Sequence, residues 1–433
     1  MKDYLITYWW GIPEAYFSEE RVIEAIEDGF NLLHFSYEPE NNKKALALCQ
    51  KHGVRAMIAD GRMYKAMNEP ENREKILTAL TDDYKNEPAL FGYYVTDEPN
   101  ADQFPMLADI VATLKRLDPA HPAYINLFPN YANAAQLGNP TYDAHLRAYM
   151  ETVKPEILSY DHYHLLTTEQ PKEFITFDNE REAGIYAAAQ KRTARAGFYD
   201  NIEAIRRYGL EFAVPYMLII LLTEHGPYRY LSEPEIAYEA YQTLAYGCSM
   251  LSYFTYWTPD GGDHWHFRNG IISEDGKKCS HYYDVQKINR EIAPIGRRIA
   301  NTTSTAVFHV GEEKEQVIPF APCQGIDGIT GGNLTVGCFA DGTMLIANKD
   351  FAADAEVAIQ TSHRLERLDP ASDTFVPCKK TITIPAGRGV YLRILLNCSF
   401  TGERGKAYRM STPAFCVLFI FRSGIPAYMV LRP

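Results

Sequence analysis

Residues 4–37 read YLITYWWGIPEAYFSEERVIEAIEDGFNLLHFSY, and the periodicity of this stretch changes twice. The runs Tyr4 to Trp9 and Asn31 to Tyr37 are rich in aromatic and aliphatic residues, as strands are. Between them Ser18 is followed by Glu19 and Glu20, and Gly29 stands just past the helical period. A cap residue, acidic residues in the first turn and a terminal glycine are the punctuation of a helix. Strand, helix and strand in close succession make a βα unit feeding a parallel sheet.

The pattern continues through the first 300 residues. Further strand-like runs are Arg55 to Asp60, Leu90 to Thr96, Ala123 to Phe128, Ile157 to Tyr163, Phe212 to Ile219 and Met250 to Trp257. Eight strands close a (β/α)8 TIM barrel. Pro215 makes the seventh run the poorest strand, because proline cannot donate to a ladder. Gly53 and Gly209 fall where helices should end, and Ser232 with Glu235 and Asn100 with Gln103 are capping-box patterns. From about Thr305 the helical period gives way to short alternating strands. LTVGCFA and TMLIANKD flank Asp341-Gly342, which reads as a type I′ hairpin turn. The expected organisation is α/β: a barrel over 1–300, a smaller all-β sandwich over 301–396, and a terminal extension of unknown role over 397–433.

Of 433 residues, 46% are hydrophobic and 23% charged, ordinary values for a folded chain with a sizeable core. Lys+Arg 43 against Asp+Glu 55 gives a net charge of −12, which argues against nucleic acid and for a small neutral or cationic ligand. The 8 cysteines include no C-x-x-C pair, so neither a zinc framework nor a disulfide scaffold is expected. Apolar stretches such as Phe415 to Phe421 fall short of the ~18 residues of a spanning helix, so no membrane partner is expected. MKDYLITYWWG lacks the apolar core and cleavage site of a signal peptide, which leads to the expectation of a cytoplasmic protein, or of an exported one if this N-terminus is already processed. Nothing in the sequence bears on oligomeric state.

In such a barrel the active site lies at the carboxyl ends of the strands. The candidates there are Glu38, Asp60, Asp97, Glu98, Asn126, Asp161, His162, Glu224 and Trp257. Several acids around one mouth suit acid/base chemistry on an uncharged substrate. All four tryptophans, Trp9, Trp10, Trp257 and Trp265, belong to the first strand, the eighth or its loop, which barrel closure makes neighbours. They should cluster as a sugar-stacking seam, with at least one of Trp9 and Trp10 turned away by strand alternation. Alternation likewise puts the Asp97 and Glu98 side chains on opposite sides, with Glu98 toward the pocket. His162/His164 and His264/His266 could in principle ligate a metal, but no further ligands join them, so neither metal nor cofactor is expected.

The segments YYVTDEPN, LAYGCSMLSYFTYWTP and the run from Gly270 to Ile292 resemble the clan of retaining (β/α)8 glycoside hydrolases, with a β-galactosidase-like character. The resemblance covers roughly residues 1 to 300. It implies hydrolysis of a glycosidic bond in a carbohydrate substrate, with Glu98 after strand four as acid/base and Glu224 after strand seven as nucleophile. The clan carries Asn immediately before the acid/base, where this chain has Asp97, and Glu224 lies several residues past its strand. Tyr160, His162 and Tyr163 are the expected donors to an ionised Glu224. Two other readings stay open: a carbohydrate-binding barrel without catalysis, and an inverting or substrate-assisted hydrolase pairing Glu98 with Asp97 or Asp161.

Overall fold

The computed structural model describes residues 2–168, 192–260, 265–311 and 315–395, together with three strands beyond them. Eight strands form one parallel sheet: β1 (Leu5–Trp9), β2 (Leu32–Ser36), β3 (Arg55–Ala59), β4 (Leu90–Asp97), β5 (Ala123–Leu127), β6 (Leu158–Asp161), β7 (Tyr216–Leu221) and β8 (Met250–Phe254). The spatial order is β1-β8-β7-β6-β5-β4-β3-β2, the order of a barrel. At the seam between β1 and β2, Asn31 takes the place of a ladder. Its backbone N–H donates to the Ile6 carbonyl (3.1 Å), its side-chain amide donates to the Tyr4 carbonyl (2.8 Å), and its side-chain carbonyl accepts from the Ile6 N–H (2.9 Å).

Strand boundaries depart from the sequence reading where proline and helix chemistry compete. The expected seventh strand begins four residues late, at Tyr216, because the preceding helix runs through Phe198–Glu211. Pro215 therefore sits just before β7, where its missing N–H costs nothing, while its carbonyl still accepts from the Leu158 N–H (2.9 Å). Gly209 is not past the helix end but inside it. A Cβ there would lie 2.4 Å from the Tyr216 ring, so glycine is what lets helix and strand approach. β8 stops at Phe254, which leaves Trp257 in the following loop.

Side chains alternate into a filled lumen. Leu5, Leu32, Met57, Tyr124, Ile157, Met217 and Met250 form a separate buried cluster, and Trp9, Phe91 and Tyr94 pack against it. In β4 the pairing slips: Tyr94 lies opposite Tyr124 but Thr96 opposite Ile125 and Asp97 opposite Asn126. One extra residue on β4 is a β-bulge, which re-aims the side chains after it. It turns Asp97 to the same side as Tyr94.

Antiparallel strands between Ser304 and Leu395 make two further sheets, one of six strands and one of three. The hairpin at Asp341-Gly342 differs from the expected type I′ turn, which needs positive φ at both central residues. Only Gly342 is left-handed (φ 82°); its N–H donates to the Phe339 carbonyl (3.0 Å), and Asp341 Oδ1 accepts from the Thr343 hydroxyl (2.6 Å). Within the expected extension, Tyr408–Ser411, Cys416–Arg422 and Ile425–Val430 form an antiparallel three-stranded sheet. Among the described residues no helix is long and apolar enough to cross a membrane.

Candidate functional site

Three carboxyl groups meet at the carboxyl ends of β4 and β6. The Asn126 side-chain amide, on β5 between them, donates to Asp97 Oδ1 (3.1 Å) and to Asp161 Oδ1 (2.9 Å). Its orientation is fixed from behind, because Asn126 Oδ1 accepts from the Ser159 hydroxyl (2.9 Å), which in turn meets the Tyr124 hydroxyl (3.0 Å). Glu98 follows directly in a left-handed conformation (φ 44°), while its N–H continues the ladder to the Asn126 carbonyl (2.9 Å). Strained backbone of this kind clusters at functional sites. Together the bulge and the positive φ overturn the alternation argument: Asp97 faces the mouth, and Glu98 lies within electrostatic reach of Asp97 and Asp161.

This crowding holds protons. Solvent reaches Asp97 through the mouth, but protein encloses the carboxyl on its other sides. That desolvation raises its pKa from 3.8 to about 6 against the opposing hydrogen bond from Asn126. Glu98 is raised from 4.5 to about 7, first by desolvation and then by the Asp97 charge. Asp161 is raised well above the ordinary range by burial, then by Glu98 and Asp97. Like charges at this density cannot all ionise near neutrality, so the cluster retains at least one proton.

Beside the carboxyls lies a cavity of about 640 Å³ over β1 to β4 and the loop after β8. Its walls are Trp9, Trp10, Tyr16, His34, Tyr37, Tyr94 and Trp257, and Asp97 is also exposed in it. Both Trp9 and Trp10 line it, contrary to alternation, because Trp10 is left-handed (φ 51°), just as Glu98 is after β4. Trp10 is 54% exposed, whereas Trp257 is buried with its ring 4.8 Å from that of Tyr16 and its indole N–H on the Glu274 carbonyl (3.3 Å). Burial holds His34 neutral, with a pKa lowered to about 4.

The remaining candidates stand elsewhere. Glu224 is 1% exposed; its Oε1 accepts from Arg268 (2.7 Å) and its Oε2 from Asn269 (3.1 Å), while the Glu224 and Arg268 backbones bond reciprocally (both 3.0 Å). Its donors thus come from the loop after β8, not from Tyr160, His162 or Tyr163. Tyr160 and His162 alternate outward, and His162 Nδ1 contacts Asn201 Oδ1 (2.9 Å) on a surrounding helix. Tyr163 does turn to the mouth, its ring 5.4 Å from Phe254. Trp265 is not in the cavity with the other three tryptophans; its ring lies 5.9 Å from His225. Glu38 is an exposed residue at the start of helix Pro39–Lys51. Asp60 caps helix Gly61–Asn68 and pairs with Arg62 (2.7 Å) and the Tyr84 hydroxyl (2.7 Å). His264 lies outside the described residues. Among those described, no three His, Cys, Asp or Glu side chains could hold a metal ion.

Sequence reasoning missed Tyr16, His34, Tyr37, Glu14, Asp260 and Glu274. Strand alternation from Leu32 places His34 inward and could have found it; the others sit outside the strands with no periodic signal.

Solved structures with this architecture carry glycoside hydrolase names. One described as a glycoside hydrolase superposes with a TM-score of 0.55 at 9% identity, over 91% of this chain and 92% of its own. A glycoside hydrolase family 5 protein from Bacteroides vulgatus gives 0.51 at 9% identity, over 91% and 89%. A family 39 glycoside hydrolase from Bacteroides cellulosilyticus gives 0.50 at 13% identity, over 90% and 80%. No family model and no curated protein matches the sequence. At these identities the likeness is one of fold, and the chain has the barrel-plus-sandwich architecture of these proteins.

Proposed function

We propose that the protein hydrolyses O-glycosidic bonds by carboxyl acid/base chemistry. The observation that carries this reading is a cluster of three carboxyl groups at the ends of β4 and β6, with Asp97 opening into an aromatic cavity and Glu98 beside it, its proton held by burial and by the Asp97 charge. A protonated Glu98 can donate to the leaving oxygen, and an ionised Asp97 can then stabilise positive charge on the sugar ring and take part in activating water. Tryptophan and tyrosine faces suit the apolar face of a sugar. The fold shared with glycoside hydrolases supports the same reading.

The retaining course with Glu224 as nucleophile is not the version favoured here. A nucleophilic carboxylate must reach the sugar, and Glu224 is 1% exposed, held by Arg268 and Asn269, and not among the residues that line the aromatic cavity. We assign Glu224 to clamping the loop after β7 to the loop after β8. Aryl glycosides of common hexoses, tested against Glu98→Gln, Asp97→Asn and Glu224→Gln, separate these roles. Asp97→Asn should lose about 10²-fold or more in turnover, and Glu98→Gln should lose as much only on glycosides whose leaving group needs protonation. Glu224→Gln should keep turnover within a few-fold per folded molecule; its complete loss with fold intact would restore Glu224 as nucleophile.

A further inference from the structure

The charge around the aromatic cavity is one-sided. Asp97 stands at its inner end, and Glu14, Asp260 and Glu274 complete the acidic lining. Among the described lining residues there is no lysine or arginine, and the one basic side chain, His34, is neutral at physiological pH. The nearby cations are directed elsewhere. Arg21 lies behind Trp257, with its ring centroid 5.3 Å away, and is bonded to Glu24 and to the Gly276 carbonyl. Arg195 stacks on Tyr131 at 3.8 Å, away from this cavity.

Resting on the proposed hydrolase reading, we propose that this cavity selects a sugar carrying a positive charge, a hexosamine with a free ammonium group, and rejects uronic acids. An ammonium group gains twice here. It is attracted to the faces of Trp9, Trp10 and Tyr94 by the ring quadrupoles, and to four carboxylates by charge. A neutral sugar gains only the stacking. A uronate brings a fourth or fifth negative charge to an acidic cavity with no donor fork among its described lining residues to receive it, whereas Arg–carboxylate pairing is the strong, geometrically matched form of such recognition.

Three of the four tryptophans line the cavity, so intrinsic fluorescence reports its occupancy directly. The test titrates the full chain with a glucosamine disaccharide, with cellobiose and with a galacturonic acid disaccharide, at a pH where the amine is protonated and at low and high salt. The amino sugar should bind about tenfold tighter than cellobiose, with the uronate weakest. That advantage should shrink in high salt and in the double variant Glu14→Gln, Glu274→Gln, read as the ratio of the two affinities. Uronate binding as tight as cellobiose, equal affinities for amino and neutral sugars at low salt, or no response to any of the three would overturn the inference. Hydrolysis of neutral glycosides with no charge preference in binding would remove this inference and leave the hydrolase reading. The charge order without turnover of any glycoside would do the reverse.

Discussion

Asp97, Glu98 and Asp161 together determine how the protein should respond to pH. A proton donor must be protonated and its partner ionised, so activity should fall below about pH 6 as Asp97 protonates and above about pH 7 as Glu98 ionises. A bell-shaped kcat/KM profile with a narrow top is the expected outcome, its two limbs belonging to the cluster rather than to single residues. Stability carries the opposite mark of the same crowding. A carboxyl whose pKa is raised on folding stabilises the fold while protonated, and that contribution is lost as pH rises through the folded value. Asp161→Asn, which keeps the oxygen that accepts from Asn126, should therefore raise Tm more at pH 8 than at pH 5. An equal change at both pH values would show that Asp161 is not held protonated. These acids were legible as strand-end residues, but their directions were not. The β4 bulge and the left-handed Glu98 are backbone events without a residue-type signal, since neither Asp97 nor Glu98 is a glycine or asparagine.

Between elements, the clearest contact is made by Glu315. Its carboxylate accepts from the N–H groups of Gly197 (2.8 Å), Phe198 (3.1 Å), Tyr199 (2.7 Å) and Asp200 (3.2 Å), and so caps the helix Phe198–Glu211 from the sandwich side of the chain. The same helix presents Asn201 to the Asn130 N–H (2.8 Å) and to His162, next to Asp161. Glu315→Ala should cost about 1 to 2 kcal/mol, as lost caps and helix-dipole partners do, and urea denaturation measures it. The Glu224–Arg268 pair makes a second element-scale case. Glu224→Gln takes one counter-charge from a buried guanidinium and should cost about 3 kcal/mol, whereas Glu224→Leu with Arg268→Met should recover much of that loss. Helix caps at Ser18 and Ser232 were readable because their chemistry is local. Glu315 was not, because its partners lie more than a hundred residues earlier.

At the scale of the molecule, barrel and sandwich share one core. Val307, Phe339, Leu345, Ala347 and Tyr391 of the six-stranded sheet belong to the same buried cluster as the barrel helices. Gly337 lies so close to the helix Glu233–Ala245 that a Cβ would fall 2.0 Å from the Ala245 carbonyl oxygen. Arg388 adds ion pairs with Glu233 and Glu291 of two barrel helices. Heating should therefore give one cooperative transition with calorimetric and van't Hoff enthalpies in agreement, and two resolved transitions would contradict the shared core. The alternation from Thr305 onward announced a β domain, and eight βα repeats announced the barrel. The docking of one on the other was not legible, because it depends on a glycine in an ordinary strand and on salt bridges between distant segments.

The central claim is that Glu98 gives its proton to the departing oxygen, and leaving-group dependence tests it most directly. kcat/KM is measured for the wild type and Glu98→Gln on two glycosides of one sugar, an aryl glycoside whose phenol leaves readily unprotonated and an alkyl glycoside whose alcohol must be protonated. Glu98→Gln should lose about 10²- to 10⁴-fold on the second and far less on the first. Equal losses on both substrates, or no loss on the one that needs a proton, would contradict the assignment.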